Sequence, residues 1–283
     1  HLDTSNVYGT GRSEEVIGRF LAANGKDLFT IATKAGIRRD PETGARSFDN
    51  SPEHLEAELD ASLARLGVDC VDLFYVHRRE AARPIEEVAE ALGALVAKGK
   101  TRAIGFSEIA PASLRRAAAV HPVAAVQSEY SLATRAPDLG LVQACAELGA
   151  ALVAFSPVGR GLLTDRPPDP ERVRGSGFLR LSPRFQSPNL EANHALTDRF
   201  RALAAEMGAP AATLAVAWLM TRGEHVIPIP GTRSVAHLDE VAGGADMDLS
   251  ADDLARIDAV LPVGWAHGDR YSAEQWNGPE RFC

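Results

Sequence analysis

The chain alternates between short, nearly continuous apolar runs and longer stretches in which apolar residues recur every three or four positions. The short runs predict strands at residues 1–4, 29–34, 72–77, 103–107, 125–128, 151–156 and 226–229. Runs with so little polar interruption suit a parallel sheet covered on one face and closed on the other. The longer stretches predict helices at residues 13–23, 52–65, 85–98, 111–119, 139–148, 195–207 and 211–220. Ser13, followed by Glu14 and Glu15, reads as an N-cap with carboxylates set against the helix dipole. Ser51-Pro52-Glu53 repeats the signal with proline at the first helical position, and Ser250 with Asp253 has capping-box spacing for a late helix. Strict alternation of strand and helix argues for a barrel or a doubly wound sheet.

Two stretches stand outside that rhythm. Residues 164–193 hold five prolines and are long enough to be a functional loop. The tail, residues 261–283, carries Trp265, Tyr271 and Trp276, which either line a pocket or seal the outer helices. No repeat or linker divides the 283 residues, a length that suits a single barrel domain of ~250 residues or more.

Composition narrows the partners. The net charge of −8 gives a nucleic-acid role little support. Three scattered cysteines are too few for a disulfide framework or a metal cluster and fit a reducing cytoplasm. Cys70 and Cys145 lie in apolar stretches and read as core residues, whereas Cys283 ends the chain and reads as exposed. No apolar run approaches the ~20 residues that cross a bilayer, and residues 1–4 do not resemble a signal peptide. The chain opens on His1, without Met, inside a strand-like segment.

Catalytic groups of a βα barrel project from the C-terminal ends of its strands. Asp3 ends the first run, Tyr8 lies in the loop beyond it, Lys34 ends the second and His77 the third. Taken singly, Asp3 and Lys34 are also readable as a plain buried ion pair, Tyr8 as a loop aromatic and His77 as a satisfied core histidine.

The segment from Asp3 to Gly9 reads Asp-Thr-Ser-Asn-Val-Tyr-Gly. It is followed in order by Gly11-Arg12-Ser13-Glu14-Glu15, Ala32-Thr33-Lys34, Asp72-Leu73-Phe74-Tyr75-Val76-His77 and Ile104-Gly105-Phe106-Ser107. Val126-Gln127, Phe155-Ser156-Pro157-Val158-Gly159-Arg160-Gly161 and Ile229-Pro230-Gly231-Thr232-Arg233 complete the series. This ordered set resembles the aldo-keto reductase superfamily, whose signature is D-T-A-x-x-Y-G, and within it the bacterial general-aldehyde and potassium-channel β-subunit branches. The resemblance implies an α/β fold, the (β/α)8 TIM barrel, as one domain over residues 1–283. Family members carry a hairpin and a first barrel strand ahead of the Asp-Thr strand, so seven of the eight strands are visible here.

The resemblance implies a metal-free tetrad of Asp3, Tyr8, Lys34 and His77 that reduces a small-molecule carbonyl substrate, with Tyr8 as general acid. A phenol with a pKa of ~10 is a weak acid, and a neighbouring ammonium favours its anion. Asp3 would anchor Lys34, since a buried unpaired charge is costly, and His77 would orient the substrate oxygen. For NADPH, the resemblance implies that Ser107 and Gln127 bind the nicotinamide carboxamide and Phe155 stacks on its ring. Ser156, Pro157, Gly159, Arg160, Gly161 and Leu162 would wrap the pyrophosphate. Gly231, Thr232 and Arg233, with His237 and Glu240, would meet the adenosine end.

Glu108 follows Ser107 where many relatives have asparagine, which shifts the carboxamide grip to Ser107 and Gln127. His237 replaces an arginine or glutamine that often contacts the 2′-phosphate, and Val241 after Glu240 replaces an adenine-binding asparagine. Arg233 keeps NADPH ahead, with NADH use open. Arg78 and Arg79, after His77, either select a carbonyl compound bearing a carboxylate or phosphate or serve as salt-bridge partners. The same residues also suit a cofactor-binding regulatory subunit with slow or no turnover. A barrel lacking one strand could instead be inactive. Oligomeric state is not legible.

Overall fold

The computed structural model describes residues 1–40, 42–281 and 283. It forms two compact units, one of residues 1–127, 143–151 and 278–283 and one of residues 128–142 and 152–277.

The chain begins with β1 (Leu2–Asp3), α1 (Arg12–Asn24), β2 (Ile31–Ala35) and a two-stranded antiparallel hairpin, β3 (Ile37–Arg39) and β4 (Arg46–Phe48). Then come α2 (Pro52–Leu66), β5 (Val71–Val76), α3 (Ile85–Ala97), β6 (Thr101–Ser107), α4 (Pro111–Ala118), β7 (Ala125–Glu129) and α5 (Leu141–Leu148). In the first unit β1, β2, β5, β6 and residues 125–127 of β7 run parallel in that order. Lys34 lies beside Tyr75, Tyr75 beside Gly105, and Ser107 beside Gln127. The register therefore aligns the C-terminal ends of consecutive strands, each already singled out for a polar residue. Leu55, Leu59, Leu92, Phe74 and Phe106 are fully buried and knit the helices to these strands. Burial of each such side chain contributes about 1.5–3 kcal/mol.

The remaining elements are β8 (Ala151–Phe155), α6 (Pro170–Gly175), α7 (Asn189–Glu206), α8 (Ala211–Met220), β9 (Val226–Ile229), α9 (Val235–Ala242) and α10 (Ala251–Val260). In the second unit β8 pairs in parallel with β9, Phe155 opposite Ile229. Helix α8 is apolar except for Thr213 and buried from Ala211 to Leu219, as a core helix must be. Among the described residues no single helix is long and apolar enough to cross a membrane.

All seven predicted strands are present, with ends no more than two residues from those expected. The β3–β4 hairpin had no sequence signal, because five of its six residues are partly or fully exposed and three are arginines. Helix α7 starts six residues earlier than the periodicity indicated, at Asn189. The proline-rich segment is packed rather than open, since Val173, Phe185 and Leu190 form a buried cluster with Leu162. Ser51 and Ser250 cap their helices, the latter with both halves of the capping box. Ser13 does not cap: Gly11, at φ 87°, takes the N-cap position, and Ser13 Oγ accepts from Thr4 Oγ1 at 2.8 Å. Cys283 corrects another expectation, because it is buried and its thiol lies 2.8 Å from the Glu280 carbonyl oxygen. Of the tail aromatics, Trp265 is buried and donates to the Leu132 carbonyl at 2.8 Å. Tyr271, also buried, packs edge-on against Phe178 and Trp276, so this part of the tail seals the second unit.

Candidate active site

The side chain of Lys34 is fully buried at the end of β2, and its ammonium pairs with Asp3 Oδ1 and donates to the Thr4 carbonyl at 2.8 Å. Gln127 Nε2 donates to the other oxygen, Asp3 Oδ2, at 2.7 Å. The Asp3 carboxylate, 12% exposed, is thus fixed from two neighbouring directions. A buried ammonium of this kind needs its counter-charge, and removing one partner of such a pair typically costs about 3–5 kcal/mol.

Tyr8 is carried by the turn between β1 and α1. Gly9, Thr10 and Gly11 all have positive φ, a conformation that glycine adopts without steric cost and that reverses the chain here. The Tyr8 amide donates to the Ser5 carbonyl, and the Tyr8 carbonyl accepts from the Ser13 amide. The ring is brought to 5.0 Å from the Lys34 ammonium and stands edge-on to His77, with centroids 5.7 Å apart. Tyr8 is 41% exposed, whereas Tyr75, whose ring lies 6.0 Å from the same ammonium, is fully buried. Burial, and secondly the charge of Asp3, pushes the Tyr75 phenol far above its ordinary pKa. Of the two tyrosines beside Lys34, only Tyr8 can meet a molecule from solution.

His77 is held well below its ordinary pKa by burial first, then by the charges of Arg78, Lys34 and Arg46, so the ring is neutral near pH 7. Its amide donates to the Ala35 carbonyl at 2.7 Å, and its Nδ1 lies 3.1 Å from Ser5 Oγ.

Four of the predicted residues, Asp3, Tyr8, Lys34 and His77, are therefore gathered in one place, with Gln127 joined to them through Asp3. Ser107 Oγ accepts from Arg78 Nη1 at 2.9 Å, and the same nitrogen donates to the His77 carbonyl at 2.6 Å. Glu108, fully buried at φ 58°, donates its amide to the Gln127 carbonyl at 2.8 Å. Arg79 pairs with Glu280 at 2.6 Å and donates to the Arg83 carbonyl, so it is a salt-bridge partner.

The second unit holds the other predicted residues. After Phe155, four residues of the turn, Ser156, Gly159, Arg160 and Gly161, have positive φ. Arg160 was expected within the pyrophosphate wrap; its guanidinium turns inward, pairs with the buried Glu129 and stacks 4.1 Å from Phe178. Burial alone would raise the Glu129 carboxyl. Arg160, Arg270 and Arg184 outweigh that effect and hold it down at about 2. Arg160 thus braces the turn rather than presenting its charge outward. Gly231, Thr232, Arg233 and His237 are exposed. They lie around the N-terminus of α9, where Ser234 accepts from the His237 amide, and a helix start of this kind favours anions. Glu240 accepts from Thr213 through its carbonyl at 2.6 Å, so its backbone ties α9 to α8.

Several residues of these assemblies escaped the sequence. Ser5 had a signal, standing where the quoted signature has alanine. Glu129, a carboxylate at the end of an apolar strand, demanded a cation that nothing in the sequence located. Glu14 was read as a dipole carboxylate, yet it is fully buried, accepting from Thr33 Oγ1 and pairing with Arg65 at 2.6 Å.

Residues 1–262 match the Aldo/keto reductase family. The chain is 40% identical over 274 residues to an NADP(+)-designated aldo-keto reductase of Schizosaccharomyces pombe, spanning 95% of this chain and 80% of that protein. It is 39% identical over 283 residues to a probable aldo-keto reductase of Glycine max, spanning 99% and 80% respectively. A glycerol dehydrogenase from Gluconobacter oxydans superimposes with a TM-score of 0.81 at 30% identity, over 92% of this chain and 80% of that one. The likeness assigns the parallel strands and their helices to the (β/α)8 class, with seven barrel strands among the described residues.

Proposed function

The chain belongs to the aldo/keto reductase family and is a nicotinamide-dependent oxidoreductase, and on that premise we propose that it reduces aldehydes or ketones to alcohols with Tyr8 as proton donor. The observation that carries the reading is the buried Lys34 ammonium, anchored by Asp3 and set 5.0 Å from the ring of an accessible tyrosine.

A bound nicotinamide would supply the hydride to the carbonyl carbon. As negative charge grows on the substrate oxygen, the Tyr8 hydroxyl passes its proton to that oxygen. The Lys34 ammonium stabilises the phenolate left behind, and Asp3 keeps the ammonium in place. His77, neutral and edge-on to Tyr8, donates a hydrogen bond that orients the substrate oxygen.

The donor set of the chain fits such a cofactor. A carboxamide needs one donor and one acceptor. Ser107 Oγ accepts from Arg78 and keeps its own proton to give, while Gln127 donates to Asp3 and keeps its carbonyl oxygen to accept. Arg233 beside the start of α9 offers charge and backbone donors for a phosphate, which favours NADPH over NADH. Phe155 offers a ring face, and the turn from Ser156 to Leu162 offers backbone close to a pyrophosphate. In this reading Arg160 contributes through its backbone alone.

The test is steady-state oxidation of NADPH and NADH with a panel of aliphatic and aromatic aldehydes and ketones. Carbonyl-dependent oxidation, faster with NADPH, is the expected result. Tight cofactor binding with no carbonyl-dependent oxidation by any member of the panel would overturn it.

A further inference from the structure

We propose that Ser5 is a positioning residue that donates its hydroxyl proton to His77 Nδ1 and so keeps the ring hydrogen on Nε2. The catalytic consequence rests on the reductase reading above, but the hydrogen-bond assignment does not.

Ser5 is fully buried, and its Oγ lies 3.1 Å from Nδ1. A hydroxyl has one proton and two lone pairs, while a neutral imidazole has one N–H and one acceptor nitrogen. Whichever partner donates across this contact therefore decides the tautomer of the ring. Two other acceptors lie 3.2 Å from the hydroxyl, the Lys34 carbonyl and Asn6 Oδ1. The Lys34 carbonyl shares its lone pairs with the Asn6 amide at 3.2 Å, and Asn6 is half-buried with its side-chain amide donating to Glu58 at 2.7 Å. The Val7 amide points at the Ser5 oxygen from 3.4 Å, occupying a lone pair and leaving the hydroxyl proton to be given away. Of the three acceptors Nδ1 is the nearest, at 3.1 Å. Burial and the surrounding cations keep the ring neutral, so a nitrogen that accepts from Ser5 leaves its partner protonated.

The chemical effect follows from geometry. Tyr8 and His77 meet edge to face, and a substrate oxygen approaching Tyr8 needs a donor from the histidine, not a second lone pair. A ring protonated on Nδ1 would oppose the oxygen that the other tautomer holds. The D-T-A signature has no hydroxyl at this position, so here the tautomer is set by a side chain that the chain supplies for itself.

The experiment is nitrogen-15 NMR of the His77 ring in the 283-residue protein, with Ser5→Ala and Ser5→Thr, alongside kcat, KM and cofactor Kd. Expected are a proton on Nε2 in the parent, a mixture of tautomers in Ser5→Ala, and the parent spectrum in Ser5→Thr. With Ser5→Ala, kcat falls about tenfold, the equivalent of one lost hydrogen bond, while the cofactor Kd stays unchanged. A proton on Nδ1 in the parent, or ring signals unmoved by Ser5→Ala, would overturn the proposal. An Nε2-protonated ring that responds to Ser5→Ala in a protein without carbonyl turnover would support the assignment and reject the reductase reading instead.

Discussion

Replacing Glu129 by glutamine removes a buried carboxylate that faces Arg160, Arg184 and Arg270 together, and its cost can be worked out in advance. The carboxyl is fully buried, yet the three guanidinium groups hold it at about 2 rather than at its ordinary 4.5. At ~1.36 kcal/mol for each pH unit, that difference corresponds to roughly 3 kcal/mol of folding stability. Because the folded-state pKa is depressed, this contribution is complete above the unfolded value near 4.5 and is lost as pH falls towards 2. Arg160 has a further stake, since its backbone is held at φ 56°, a conformation that costs a side-chain-bearing residue about 1 kcal/mol or more. Denaturant unfolding of parent and Glu129→Gln at pH 7 should differ by roughly 3 kcal/mol, and the gap should shrink as the pH is lowered from 5 to 3. An equal gap at pH 7 and pH 3, or none at pH 7, would refute the reasoning. It would mean that the arginines do not depend on the charge of Glu129.

Other expectations follow from single contacts. Gly105→Ala would place a methyl 2.5 Å from the Tyr75 ring and 2.8 Å from the Ala125 carbonyl oxygen. It should destabilise the protein by about 1–3 kcal/mol, measured by the same unfolding assay, and an unchanged midpoint would show that Tyr75 moves freely. Arg233→Ala should raise the Kd for NADPH more than that for NADH, measured by fluorescence titration. Equal losses would remove Arg233 from 2′-phosphate recognition.

Periodicity carried the architecture because most elements bury a continuous apolar face. The seven main strands announced themselves through runs such as Leu73-Phe74-Tyr75-Val76, whereas the β3–β4 hairpin buries only Ile37 and could not. The capping of α10 was legible since Ser250 and Asp253 are three residues apart. The start of α1 was not, because Gly11 takes the cap position by its backbone conformation and Ser13 turns to Thr4. At the site, Asp3, Tyr8, Lys34 and His77 were readable as polar residues at strand ends. The direction of the Arg160 side chain was not legible, because it depends on Glu129, thirty-one positions away, and no local pattern reports that pairing. Cys283 was misread for a related reason: nearby Glu280 binds Arg79 and the Ala110 amide, partners far away in sequence that no local pattern reports.

The central claim is that Tyr8 passes a proton to the substrate oxygen while Lys34 stabilises the charge it leaves. Tyr8→Phe keeps the ring beside His77 and Lys34 and removes only the hydroxyl. Steady-state NADPH oxidation at saturating aldehyde, with the cofactor Kd measured in parallel, tests the claim most directly. The predicted result is a fall in kcat of roughly a hundredfold or more with the cofactor Kd nearly unchanged. Equal turnover by Tyr8→Phe and the parent would contradict it.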